Sequence, residues 1–298
     1  MKPFNLLLVL FMLIRGTAFP QSHALVIQTD FGLKDGAVSA MKGVAFGVSP
    51  ELKIFDLTHE IPAYNIWEAA YRLQQTAAYW PKGTVFVSVV DPGVGSERKS
   101  VVLKTKSGHY FVSPDNGTLT LIAESLGIEA LREIDEKRNR LPGSSASYTF
   151  HGRDVYVYTG ARLAAGVIPF DSVGKELPAD VVRIPYQQAI SKNGTVYGNI
   201  PILDVQYGNA WTNIDEKTLE ALQLKFGDKL RVKILKDKKV VFNSVLPFVA
   251  TFASVPQGSP LAYQNSLMNL SFAINYGNFA EQHKVASGPE WTVEVTKE

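Results

Sequence analysis

Thr84-Val-Phe-Val-Ser-Val-Val-Asp-Pro-Gly-Val-Gly-Ser-Glu-Arg98 is the stretch on which the reading of this chain turns. Its first seven residues form a hydrophobic, β-branched run of strand length. The run stops at Asp91, and Pro-Gly-Val-Gly supplies the turn that follows. A carboxylate there stands at a strand's end, where open α/β sheets place their chemistry. A second stretch, Tyr148-Thr-Phe-His-Gly-Arg-Asp154, has the same form, an extended run that leads into His151 and Gly152. Together the two offer an Asp, an Arg and a His, with no cysteine and no evident metal cluster. That set can orient and polarise a water, which points to hydrolysis or group transfer.

Working outward, Ala24-Leu-Val-Ile-Gln-Thr-Asp30 is a short apolar run ending in polar residues, the pattern of a buried parallel strand. Helical patterning is expected from about 37 to 46, a strand over 53–58, and an amphipathic helix over 65–79. Strand, helix, strand, helix, strand implies right-handed βαβ units and a mainly parallel or mixed sheet. Residues 101–103 and 110–112 read as a hairpin around Ser107-Gly108. Helices are expected over 119–126 and 154–165, with Gly127 and Gly166 as C-caps. Between 172 and 184 the style changes, and Pro178 and Pro185 flank a linker-like stretch. Beyond it come short runs at β spacing separated by turn signals such as Asn193-Gly194 and Gly227-Asp228. The expectation is an α/β domain over 24–178 and a smaller, β-rich, barrel-like domain over 185–298.

At 298 residues, 46% hydrophobic and 19% charged, the chain can build a large core. Residues 1–23 read as a signal peptide: Lys2 is the basic start, Leu6 to Ile14 the apolar stretch, and Gly16-Thr-Ala18 a small-residue cleavage site. Nine apolar residues are too few to span a bilayer. The expected product is an exported protein, periplasmic or secreted, with no membrane attachment after cleavage. The formal charge is +2, and without Lys2 and Arg15 the chain carries 28 basic against 28 acidic residues. No basic patch stands out, which argues against nucleic acid as a partner. The lack of cysteine removes disulfides and thiol chemistry.

Several residues have a functional and a structural reading side by side. Asp30 ends the first strand and can accept both hydroxyls of a ribose, whereas Asp35 can instead cap the helix that follows. The glycines after Asp91 lack the Lys-Ser/Thr ending of a phosphate loop, but they allow close approach to a ligand. Arg98 can fold back on Asp91 as a structural ion pair or as part of a site. His151 beside Gly152 is the histidine singled out; His23, His59, His109 and His283 have no metal-ligand spacing. Asp204-Val-Gln-Tyr-Gly-Asn209 mixes an acid, an amide and an aromatic across a turn, and Asn can read an adenine edge. Its structural reading is an ordinary Asn-containing turn. Phe252, Asn265 and Ser266 lie at other turns and can complete a pocket.

Taken in order, Gln28-Thr-Asp-Phe-Gly, Asp91-Pro-Gly-Val-Gly, Phe150-His-Gly-Arg-Asp, Asp204-x-x-Tyr-Gly-Asn and Asn265-Ser closely resemble the S-adenosylmethionine (SAM) hydroxide adenosyltransferases. These are the SAM hydrolases related to fluorinase and chlorinase enzymes. The likeness runs from about Ala24 to Ala280. It implies attack of water or hydroxide on C5′ of SAM, giving adenosine and methionine, with no cofactor and no metal, commonly in a homotrimer with substrate between subunits. By the same resemblance Asp91, Arg98 and His151 orient the water, and Asp30 binds ribose. Tyr64 takes the place of an aromatic near the substrate, and Asp204 holds the methionine ammonium. Asn209 and Phe252 contact adenine, and Tyr207 replaces a more usual Phe. The halogenating relatives carry Tyr in place of Asp91 and a small hydroxyl residue in place of Gly152, which argues against halide chemistry here. Leu267 follows Ser266 where some relatives have Arg, a departure at the methionine carboxylate. The alternatives are an exported nucleoside-binding protein without catalysis, or a hydrolase of another adenosyl compound.

Overall fold

The computed structural model describes residues 23–298. Of the segment read as a signal peptide, all but His23 lies outside the described residues. The first domain runs β1 (Ala24–Thr29), α1 (Ala37–Val48), β2 (Lys53–Thr58), α2 (Ile66–Ala77), β3 (Val85–Val89), β4 (Ser100–Thr105), β5 (Tyr110–Pro114), α3 (Thr120–Ser125), β6 (Ile128–Glu133) and α4 (Glu136–Asn139). A π-helical segment, Gly152–Val157, then leads into α5 (Tyr158–Ala164), and β7 (Glu176–Leu177) closes the sheet. The seven strands are ordered β2-β1-β3-β5-β4-β6-β7. The first four in that order pair in parallel, and the remaining pairings are antiparallel. The hairpin expected around Ser107-Gly108 is β4–β5.

β1 is flanked by β2 on one side and β3 on the other, so successive crossovers leave it in opposite directions. The crevice at the carboxyl ends of β1 and β3 is the topological switch point of the sheet. Register pairs Thr29 with Val89, which sets Asp30 and Asp91 just beyond two adjacent strand ends. The sheet is covered on both faces, as its apolar strands demand. Leu25, Ile27, Val85 and Val87 face Met41, Ala45, Tyr156 and Ala161; Val26, Phe86 and Phe111 face Leu73, Ala77 and Ile122. One buried polar residue on β1 ties α2 to the strand ends: Gln28 Nε2 donates to Ser88 Oγ at 2.7 Å and to Ala69 O at 2.9 Å, while its Oε1 is buried without a partner.

The second domain contains β8 (Ile190–Lys192), β9 (Thr195–Asn199), β10 (Ile202–Leu203), β11 (Ala210–Trp211), α6 (Glu216–Leu219), β12 (Lys229–Lys236), β13 (Lys239–Pro247), β14 (Pro260–Gln264), β15 (Leu270–Ile274), α7 (Phe279–His283) and β16 (Trp291–Lys297). They form two antiparallel sheets, β13-β12-β16-β9-β8 and β10-β11-β15-β14. One core joins the two, with Val232, Ile234 and Val293 meeting Ala210, Phe272 and Phe279. The β8–β9 turn is Asn193-Gly194, both residues at positive φ (51° and 75°), as a two-residue hairpin with right-handed twist requires. The domains are joined by more than the chain. Trp67 Nε1 on α2 donates to Pro201 O at 2.9 Å, and Trp67, Tyr71 and Leu121 pack on Ile202, Tyr186 and Trp211.

Candidate active site

Asp91 leaves β3 at the switch point, and Arg98 returns to it after the Pro-Gly-Val-Gly turn. Arg98 Nε donates to Asp91 Oδ1 at 2.7 Å and Nη2 donates to Oδ2, a two-pronged pairing that fixes the carboxylate plane. The remaining prong, Nη1, donates to Ser100 Oγ at 3.1 Å, and Ser100 Oγ lies 3.1 Å from the Tyr156 hydroxyl. The guanidinium also sits 5.7 Å from the Tyr156 ring centre. The side chains of Arg98 and Asp91 are only 11% and 5% exposed. Burial works against the Arg98 charge, but the bonded Asp91 outweighs it and holds the guanidinium above its usual range. Burial pushes the Tyr156 hydroxyl up as well, so it stays protonated. Neither Ser100 nor Tyr156 was singled out from sequence.

The second motif is placed differently from expectation. Tyr148 to Phe150 form no strand; exposed Tyr148 and Thr149 have no neighbouring strand to pair with, and the segment is a loop. The expected helix does not begin at Asp154 either. His151 caps a π-helical turn, and α5 continues it. Residues five apart lie about 140° apart on an α-helix, whereas the i→i+5 turn of a π-helix brings them towards one face. His151 and Tyr156 are such a pair, with ring centres 6.5 Å apart. Gly152 is needed for close packing: a Cβ there would come within 3.2 Å of the Phe31 ring and 3.4 Å of Val89.

The His151 ring is buried. Arg140 Nη2 lies 3.3 Å from its Nε2, and Glu136 Oε1 lies 3.7 Å from the same nitrogen. Nδ1 is buried without a partner among protein atoms. Burial lowers the imidazole pKa; Glu136 opposes this, and Arg140 and Arg98 reinforce it.

Asp91 and His151 line a cavity of about 260 Å³ together with Asp30, Phe31, Tyr64, Val89 and Phe150. Asp30 Oδ2 accepts from the Tyr64 backbone N–H at 2.9 Å, and Tyr64 is held at φ +69°. Asp35, one residue before the N-cap Gly36, accepts from Ala37 N at 2.9 Å at the start of α1. Of the two acids of that loop, Asp30 lines the cavity and Asp35 bonds the first turn of α1. Behind the cavity, Thr29 Oγ1 meets His59 Nδ1 at 2.9 Å and His59 Nε2 meets Asp56 at 3.0 Å, fixing the end of β1.

Asp204, Tyr207, Asn209 and Phe252 come together elsewhere, in the second domain. They line a cavity of about 710 Å³ with Tyr263, Asn275 and Tyr276. Asn209 Nδ2 donates to Asp204 Oδ2 at 3.3 Å, and Phe252 leans on Tyr263 with ring centres 4.9 Å apart. Tyr207, Phe252 and Tyr276 are exposed. Ser266 lines neither cavity; it is exposed in the β14–β15 turn, where Asn265 Oδ1 accepts from Leu267 N and Asn269 N. Among the described residues no three His, Cys, Asp or Glu side chains are grouped to hold a metal ion, and no helix is long and apolar enough to cross a membrane.

Residues 25–174 match the SAM hydroxide adenosyltransferase N-terminal domain, and residues 198–292 match the C-terminal domain of the same family. The chain belongs to the SAM hydroxide adenosyltransferase family. It is 39% identical over 214 residues to the (R)-S-adenosyl-L-methionine hydrolase of Methanocaldococcus jannaschii, covering 70% of this chain and 73% of the relative. It is 28% identical to the fluorinase of Actinopolyspora mzabensis across 92% and 97% of the two chains. A crystal structure of an uncharacterized conserved protein from Thermotoga maritima superposes with a TM-score of 0.82 at 33% identity, over 91% of this chain and 99% of that one.

Proposed function

We infer that the protein hydrolyses SAM to adenosine and L-methionine, with a water held between Asp91 and His151 attacking C5′. The observation that carries this reading is Asp91, held by Arg98 in a buried pair at the switch point and lining one cavity with Asp30 and His151. Relatives named for (R)-S-adenosyl-L-methionine hydrolysis support it. A sulfonium is already a good leaving group, so the protein's task is to hold water in line with the C5′–S bond and limit competing solvent. Asp30 receives the ribose hydroxyls with Tyr64 alongside. Asn209 and Phe252 receive the adenine with Tyr207 beside them, and Asp204 the methionine ammonium.

The two sets of residues line different cavities of one chain. We read the complete site as forming between subunits of a homotrimer, the first cavity of one facing the second cavity of its neighbour. The exposed rings of Tyr207, Phe252 and Tyr276 support this, because a partner would cover them. We also read the protein as exported, with residues 1–23 removed; N-terminal sequencing of a periplasmic or culture fraction tests that.

The deciding experiment is product analysis. Purified protein with SAM should release adenosine and methionine in equal amounts. Calorimetric binding of adenosine with no turnover of SAM would overturn hydrolysis in favour of a binding protein.

A further inference from the structure

We propose that Arg140, braced by Glu136, is a positioning residue that fixes His151 in the Nδ1–H form, so that the neutral imidazole is no proton acceptor and Asp91 is left to accept the proton of the attacking water. The catalytic part of this rests on the hydrolysis argued above; the state of the ring rests on the contacts and burial around it.

Arg140 follows α4 directly. Its Nη2 donates to Glu136 Oε2 at 2.5 Å and to His151 Nε2 at 3.3 Å. A guanidinium has donors only and keeps its charge, so the ring nitrogen that meets it must present a lone pair. A neutral imidazole has one N–H, which is therefore on Nδ1. Arg140 is not free to turn away. Its guanidinium lies 4.7 Å from the Tyr148 ring centre, its Nη1 reaches Ser147 O at 3.4 Å, and its side chain is 9% exposed.

A competing arrangement is built into the same place. Glu136 Oε1 stands 3.7 Å from Nε2 and would accept a proton placed there. Arg140 decides between the two by occupying both Glu136 and Nε2. The charged and titratable groups around the ring are Glu136 and Arg140 from α4 and its end, Asp91 and Arg98 from the turn after β3, Tyr148 from the loop and Tyr156 from the π-helical segment. Burial, Arg140 and Arg98 keep the ring neutral against the pull of Glu136 and Asp91.

In this state His151 cannot serve as the base, because Nε2 is engaged and Nδ1 already carries hydrogen. The step then balances as follows. The water oxygen bonds to C5′ while the C5′–S pair leaves with sulfur, turning the sulfonium into the neutral thioether of methionine. One water proton passes to the Asp91 carboxylate and on to solvent, and His151 keeps its Nδ1 proton throughout.

The test reads the ring directly. Long-range proton–nitrogen correlation of the protein's five histidines, with His151 assigned by its loss in His151→Gln, should show protonated Nδ1 and bare Nε2 near neutral pH. In Arg140→Met the proton should move to Nε2, facing Glu136, while Arg140→Lys should retain part of the original population. Turnover in Arg140→Met should fall at least tenfold with KM within about threefold. The acid limb of its pH–rate profile should move to higher pH, and that of Glu136→Gln to lower pH. An Nε2–H ring in the unaltered protein, or an unchanged ring in folded Arg140→Met, would overturn the proposal. The ring is observed without substrate, so a protein inert towards SAM with an Nδ1–H ring would overturn the hydrolysis while supporting the assignment of the ring.

Discussion

Asp91→Asn is the substitution that separates holding the nucleoside from delivering the water. In the native site Arg98 grips both carboxylate oxygens, through Nε at 2.7 Å and through Nη2. Asparagine keeps one oxygen, so its amide must face one Arg98 N–H donor against donor. One charge-assisted bond is lost, worth about 1.5–3 kcal/mol. The guanidinium is also left only partly compensated in a buried place, where breaking a pair costs about 3–5 kcal/mol. That is tolerable for a fold with ~5–15 kcal/mol in reserve, and a melting scan checks it. Removing the proton acceptor should slow the chemistry by about 10²–10⁴, or ~3–5 kcal/mol of barrier. Adenosine affinity should change by no more than about threefold, under ~0.7 kcal/mol, since in the proposed site Asp91 serves the water and not the nucleoside. The assay pairs adenosine release from saturating SAM, followed by chromatography, with calorimetric titration of adenosine. A folded Asp91→Asn protein with turnover within threefold of native would refute the reasoning, as would an equal loss of rate and adenosine affinity.

Asp30→Ala should weaken adenosine and SAM alike by about tenfold to a hundredfold, through lost ribose bonds and release of the Tyr64 N–H it now accepts; unchanged calorimetric affinity would remove Asp30 from the site. Gly160→Ala places a Cβ 2.5 Å from Val87 Cγ2 under α5. It should cost about 1–3 kcal/mol and lower the melting temperature by several degrees, whereas Gly43→Ala, with open space around it, should not lower it. Burial holds both His151 and His283 below the ordinary histidine value of 6.5. The unfolded chain therefore binds more protons between the folded values and 6.5, so denaturant midpoints should rise with pH up to about 6.5 and then level off. A midpoint that fell over that range would contradict the burial of both rings.

Much of the fold was legible because it is locally encoded. The apolar runs of β1 and β3, the Asp30 and Asp91 that end them, and the Asn193-Gly194 turn each carry their own signal. β6 carries none: Glu129, Ala130, Leu131, Arg132 and Glu133 are helix formers by propensity, and pairing with β4 and β7 makes them a strand. The site divides in the same way. Asp91 and Arg98 are seven residues apart and could be paired by eye. Ser100 and Tyr156 meet across 56 positions, and Arg140 reaches His151 from beyond a loop, contacts that only the folded chain creates. Nothing local marks the π-turn after His151. Ser266 shows the opposite limit, since a polar residue at a turn says nothing of which surface the turn will face.

That π-turn sets a rule about length. Five steps separate His151 from Tyr156, and the wide turn brings their rings together. Deleting any one residue from 152 to 155 would let the segment relax into an ordinary α-turn and rotate everything before it by about 100° relative to α5. Loops elsewhere on the molecule can gain or lose residues at modest entropic cost. Here a single-residue deletion would swing the imidazole away from Asp91 with every side chain of the network still present, so the chain's spacing at this point is as much a part of the site as its chemistry.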